Sequence, residues 1–139
     1  MFNFKKPTAQ MLGRWQPWHK GHTELFKKSL AEIGQVCIMI RDVQNIDAGM
    51  GNDDNPFHYD QVVENIKKEL SKEGFTYYQE YVIIIVPNIV NISYGRGVGY
   101  TFTEHDLGAD IHSISATDIR KKLRDEGKLW NYYIIQMNS

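Results

Sequence analysis

Three short apolar runs, each followed by a stretch of helical character, restrict this chain to a small group of folds. Residues 8–13 (TAQMLG), 35–41 (QVCIMIR) and 81–86 (YVIIIV) read as buried strands, the last apolar throughout, as in a parallel sheet covered on both faces. Between the first two, residues 21–33 carry Leu25, Phe26, Leu30 and Ile33 on one helical face and stop at Gly34. Between the second and third, residues 57–73 carry Val62, Val63, Ile66 and Leu70, with Pro56 near the start and Gly74 at the end. A last helix is expected over 117–125, ended by Gly127. Strand-like pieces are expected at 91–94 and 100–103, a long loop at 42–55, and an aromatic tail (LWNYYIIQM) packed back on the body. The alternation predicts an α/β fold: one doubly wound, Rossmann-like domain over residues 1–139, a parallel sheet flanked by helices. Such sheets bind ligands at the carboxyl ends of their strands.

Charge narrows the class of ligand. With 16 Lys and Arg against 17 Asp and Glu, the net charge of -1 speaks against a general nucleic-acid binder. A single cysteine, Cys37, points to a reducing compartment. No window reaches the roughly 18 apolar residues of a membrane span, and MFNFKKPTAQ lacks the apolar core of a secretory signal. The expectation is a cytoplasmic protein, off the membrane, acting on something small.

After the first strand the chain reads Gly13-Arg14-Trp15-Gln16-Pro17-Trp18-His19-Lys20-Gly21-His22. A helix start there offers N–H groups and a partial positive charge. Two imidazoles can donate to phosphate oxygens, Arg14 supplies a guanidinium, and Gly21 allows close approach to the backbone. The reading is a polyphosphate nest. A His-x-x-His metal pair is the alternative, but the residues around it include no Cys or carboxylate cluster to complete a ligand set. Near the other end, Ile114-Ser115-Ala116-Thr117-Asp118-Ile119-Arg120 places Ser115 as a helix cap with Asp118 three residues on. The same hydroxyls, with Thr117 and Arg120, also suit a second anion site.

GRWQPWHKGH resembles the HxGH signature region of the nucleotidyltransferase superfamily. Its Gly-Arg-aromatic-Gln-Pro-x-His form is similar to archaeal-type nicotinamide mononucleotide adenylyltransferases. ISATDIR resembles the superfamily's second signature, ISxTxxR, and Asn55-Pro56-Phe57 is similar to the archaeal-type pattern as well. The resemblance implies transfer of a nucleoside monophosphate, AMP from ATP, to a phosphate-bearing acceptor, with nicotinamide mononucleotide as the leading acceptor and pyrophosphate released. It implies His19, His22 and Arg120 as catalytic residues. Gly13, Arg14, Trp15, Gly21, Ser115, Thr117 and Arg120 would bind the nucleotide, Trp18 and Arg96 the acceptor, and magnesium would arrive with the triphosphate. Two other readings stay open: a cytidylyltransferase using CTP and a phosphoalcohol or phosphosugar, and a non-catalytic nucleotide-binding module. Relatives in the superfamily are often homo-oligomers, and the same is expected here.

Other features are less specific. Residues 86–100 are more similar to nucleotidyltransferase-like modules joined to adenylylsulfate kinases, yet no GxxxxGK[ST] phosphate loop is present, so kinase activity is not expected. Gly95, Gly97 and Gly99 form either a turn or a phosphate cradle around Arg96. Trp15 and Trp18 either stack on a base or nicotinamide ring or cover the sheet. Asp53 and Asp54 read as solvated loop residues, His58 and Tyr59 as surface residues at a helix start. His105, Asp106, Asp110 and His112 show no metal-ligand spacing.

Overall fold

The computed structural model describes residues 1–43, 56–96, 99–112 and 114–127. Asp53, Asp54 and Asn55, the centre of the glycine-rich turn and the aromatic tail lie outside the described residues. The strands are β1 (Ala9–Gly13), β2 (Val36–Arg41) and β3 (Tyr81–Val86), and they form one parallel sheet in the order β1-β2-β3. Helix α1 (Lys20–Ile33) connects β1 to β2 and α2 (Tyr59–Lys72) connects β2 to β3. A four-residue helix α3 (Ala109–His112) and α4 (Ala116–Asp125) follow. This is an α/β, Rossmann-like arrangement. Among the described residues no helix is long and apolar enough to cross a membrane.

The helices form where the apolar stripes lie, and they stop where backbone chemistry stops them. Gly34 caps α1 with φ at 110°, a left-handed conformation that costs glycine little, and its N–H closes on the Leu30 carbonyl. One face of the sheet, through Met11, Val36, Ile38, Ile40 and Tyr81, packs against Phe26 of α1 and Val62, Ile66 and Leu70 of α2. The other face presents Cys37 and Val82, covered by Phe2 with Met39 alongside.

Two expectations change. YVIIIV is not buried throughout: Tyr81 and Val82 are in the core, while Ile84 and Ile85 are 37% and 38% exposed. Among the described residues β3 is an edge strand, so apolar content alone overstated its cover. The segments 91–94 and 100–103 form no strand, and Val90, Ile92, Tyr94, Tyr100 and Phe102 are exposed. Their alternation suits a strand, but nothing among the described residues pairs with them.

Candidate active site

The carboxyl end of β1 turns on two residues that depend on each other. A Cβ on Gly13 would stand 2.9 Å from Cε2 and Cζ2 of the Trp15 indole, so only glycine leaves room for that ring. Trp15 itself has φ at 54°, in the left-handed region that a bulky residue rarely occupies. It is held there by a hydrogen bond from its indole N–H to the Met39 carbonyl at 3.1 Å and by packing on Trp18 and His22. Trp18 is 1% exposed and donates from its indole N–H to Thr23 Oγ1 at 2.8 Å. Both tryptophans therefore cover the sheet. Trp18 has no open face for an acceptor, because the space beneath α1 requires a large apolar ring there.

The histidines build the start of α1. His19 is the N-cap, and its Nδ1 accepts the Gly21 N–H at 3.0 Å. His22 reciprocates: its Nδ1 accepts the His19 N–H at 3.0 Å. The rings stack with centroids 3.7 Å apart. This is a capping box made of imidazoles, a variant of the usual Ser/Thr and Glu/Gln form. It has two chemical results. An Nδ1 that accepts carries no proton, so in the neutral ring the proton sits on Nε2, which remains a donor. Burial also disfavours the charged forms. His19 is lowered below the ordinary imidazole range, and His22 is lowered to about 3 by burial and by repulsion from His19. The cap consumes the Gly21 N–H, so the helix start offers fewer free backbone donors than its sequence suggested. Gly21 fits because a Cβ there would meet His19 Cε1 at 2.8 Å.

The second motif repeats the pattern. Ser115 caps α4, its Oγ accepting the Asp118 N–H at 3.3 Å. Thr117 is exposed, and its Oγ1 accepts from Arg120 Nη2 at 3.3 Å. Each hydroxyl keeps its own proton to donate. Arg120 is buried at 5% exposure, with Nη1 donating to the Gln16 carbonyl at 2.6 Å. Its guanidinium ties α4 to the first junction from the interior. Ile111 of α3 also closes on the α1 start, 3.5 Å from where a Gly21 Cβ would lie.

Gln16 was not singled out in the sequence, although it joins three segments. Its backbone oxygen receives Arg120. Its buried side-chain amide both donates to the Phe57 carbonyl and accepts the Phe57 N–H, each at 2.9 Å. The segment leading into α2 is thereby fastened to the segment leading into α1. His58 is likewise structural. It caps α2, its Nδ1 accepting the Asp60 N–H at 3.1 Å while Gln61 Oε1 accepts the His58 N–H. A histidine followed three residues later by a side chain able to accept was the signal available for both caps.

Arg14 is exposed and has no hydrogen-bond or ion-pair partner among the described residues. Arg96 is exposed and makes no contact with the site among the described residues. No group of three or more His, Cys, Asp and Glu that could hold a metal occurs among the described residues. A hollow of about 380 Å³ lined by Ile33, Gly34, Gln35 and Glu80 opens at the amino ends of β2 and β3, opposite the histidines.

No protein-family model matches the chain. Curated proteins do. A nicotinamide-nucleotide adenylyltransferase of Methanococcus maripaludis strain S2 is 29% identical across 91% of this chain and 82% of its own length. That of Methanococcus aeolicus is 35% identical across 62% of this chain and 48% of its own length. That of Methanococcus vannielii is 27% identical across 91% and 82%. Over most of its length the chain is thus similar in sequence to the nicotinamide-nucleotide adenylyltransferases of Methanococcus.

Proposed function

We propose that the chain transfers AMP from ATP to nicotinamide mononucleotide and releases pyrophosphate. One observation carries the reading. At the α1 and α4 starts the protein itself occupies Nδ1 of His19, Nδ1 of His22 and one lone pair each of Ser115 Oγ and Thr117 Oγ1, so the imidazole Nε2–H groups and the two hydroxyl protons are left to donate. Imidazole N–H and hydroxyl protons remain for a ligand, and that inventory suits an anion. The similarity to Methanococcus proteins named nicotinamide-nucleotide adenylyltransferases supports adenylyl transfer as the reaction class.

In this reading an acceptor phosphate oxygen attacks the α-phosphorus and pyrophosphate leaves. The protein positions the two substrates in line and stabilises charge as it develops. His19 and His22 donate from Nε2 to the triphosphate. Ser115 and Thr117 donate to its leaving end. Arg120 acts as a positioning residue that fixes the spacing of the two helix starts and adds positive potential beneath them. Arg14 reaches the phosphates from the open side. A magnesium ion would arrive with the triphosphate, and none of the residues named here is assigned to hold it. That ion would neutralise charge on the triphosphate.

The test is pyrophosphate release in magnesium buffer with ATP or CTP against nicotinamide mononucleotide and other phosphate monoesters. Release with ATP and nicotinamide mononucleotide is expected. Release with CTP alone would replace the reading with cytidylyl transfer. Nucleotide binding without release from any pair would make the chain a binding module.

A further inference from the structure

We propose that Arg41, with Arg14 beside it, binds the phosphate monoester of the acceptor at the carboxyl edge of β1 and β2. The inference rests on the adenylyl-transfer reading and adds to it the group that holds the attacking substrate.

Arg41 is the last residue of β2 and pairs in register with Val86. Gly13 pairs with Ile40, so Arg14 leaves β1 at the level of Arg41. Neighbouring strands lie about 4.8 Å apart, which puts the two guanidinium-bearing residues side by side. Neither has an acidic partner among the described residues. Two like charges on adjacent strands disfavour each other unless an anion lies between them.

The state of the Arg41 side chain is the independent observation. Nη2 donates to Asn88 Oδ1 at 2.8 Å, a neutral partner that orients the guanidinium without cancelling its charge. Its Nε is buried and has no hydrogen-bond partner among the described residues. A guanidinium stays protonated in proteins, so an unmet buried N–H on it is costly. A phosphate is a guanidinium's natural acceptor, and at this sheet edge the terminal Nη groups would meet it. Asn88 comes from the segment directly after β3, so the neighbouring loop helps aim the group at the sheet edge.

Reaction geometry assigns this second anion site to the acceptor. In-line attack needs the nucleophile held apart from the leaving pyrophosphate. The histidines and the α4 start supply the donors for the triphosphate. Arg41 lies one strand over, and Arg14, between the two sets, reaches the phosphates on both sides of the bond that forms.

Steady-state kinetics on the full chain with ATP and nicotinamide mononucleotide test this, together with calorimetric titration of nicotinamide mononucleotide alone. For Arg41→Gln the acceptor KM and the dissociation constant are expected to rise by about tenfold or more. The ATP KM and kcat should stay within about threefold, because the lost contact is to one substrate only. Arg41→Lys should recover part of the loss, keeping the charge without the fork. It carries the comparison if thermal melts show Arg41→Gln unfolded. An unchanged acceptor KM and dissociation constant, or a rise in the ATP KM alone, overturns the proposal. Should the wild type release no pyrophosphate with this pair, the adenylyl-transfer reading fails by itself. The arginine site is then decided by titration with ribose 5-phosphate: weaker binding in Arg41→Gln supports it, and equal binding or none by the wild type overturns it.

Discussion

Arg120 donates to the backbone oxygen of Gln16 at 2.6 Å, across 104 positions of sequence, and so locks the second motif onto the first. The bond is buried, and a hydrogen bond from a charged donor contributes about 1.5–3 kcal/mol. Arg120→Ala is expected to lower the unfolding free energy by about that much, and also to reduce turnover by loosening the two helix starts. Urea unfolding followed by circular dichroism measures the first, and pyrophosphate release the second. Stability equal to wild type would mean that the tie holds nothing.

Gln16 is predicted to matter as much through its side chain. Gln16→Ala removes both buried hydrogen bonds that its amide makes to Phe57, at about 0.5–1.5 kcal/mol for each. The loss should appear locally, as faster hydrogen exchange at the Phe57 amide and in the first turn of α2. Gln16→Glu should fail to restore the native rate, because a carboxylate cannot donate to the Phe57 oxygen.

Gly21→Ala separates folding from function. A glycine-to-alanine change inside a helix ordinarily stabilises by up to about 1 kcal/mol. Here the new methyl would meet His19 Cε1 at 2.8 Å, and the ring must turn away. The melting temperature should change little, while turnover falls by about tenfold or more through misplacement of the imidazole. Normal turnover in this variant would show that the His19 orientation is immaterial.

The His22 imidazole should make stability depend on pH. Its folded pKa, about 3, lies below the ordinary 6.5. Between those values the unfolded chain binds a proton that the folded chain refuses, so stability is full above pH 6.5 and falls as pH drops toward 3. Urea midpoints from pH 7.5 to 4 should decline less steeply in His22→Ala than in wild type. The same variant should lose about 10²–10³ in turnover, the usual cost of removing a preorganised donor.

Much of this architecture was legible because it is written in local terms. The runs at β1, β2 and β3, the stripe of α2 and the stop at Gly34 each follow from a few neighbouring residues. The pieces around Ile92 and Phe102 misled because alternation describes a half-buried strand only when a partner strand exists, and pairing is not a local property. The two signature segments were readable as helix starts, but which of their side chains cap the helices and which tie the segments together was not. The indoles of Trp15 and Trp18 turned inward because Gly13 and Thr23 gave them places to go. Gln16 and Arg41 act through groups 41 and 47 positions away, and no spacing rule reports contacts at that range.

In the proposed reaction the imidazole cap on α1 would also select the nucleophile by its state of protonation. With both Nδ1 lone pairs committed to backbone N–H groups, neither ring has a free lone pair with which to abstract a proton. An alcohol would arrive at this site with no imidazole to deprotonate it. A phosphate monoester, whose second ionisation falls near pH 6, brings its negative oxygen ready-made. In the proposed reaction the helix cap would thus filter acceptor chemistry before any residue recognises the rest of the molecule.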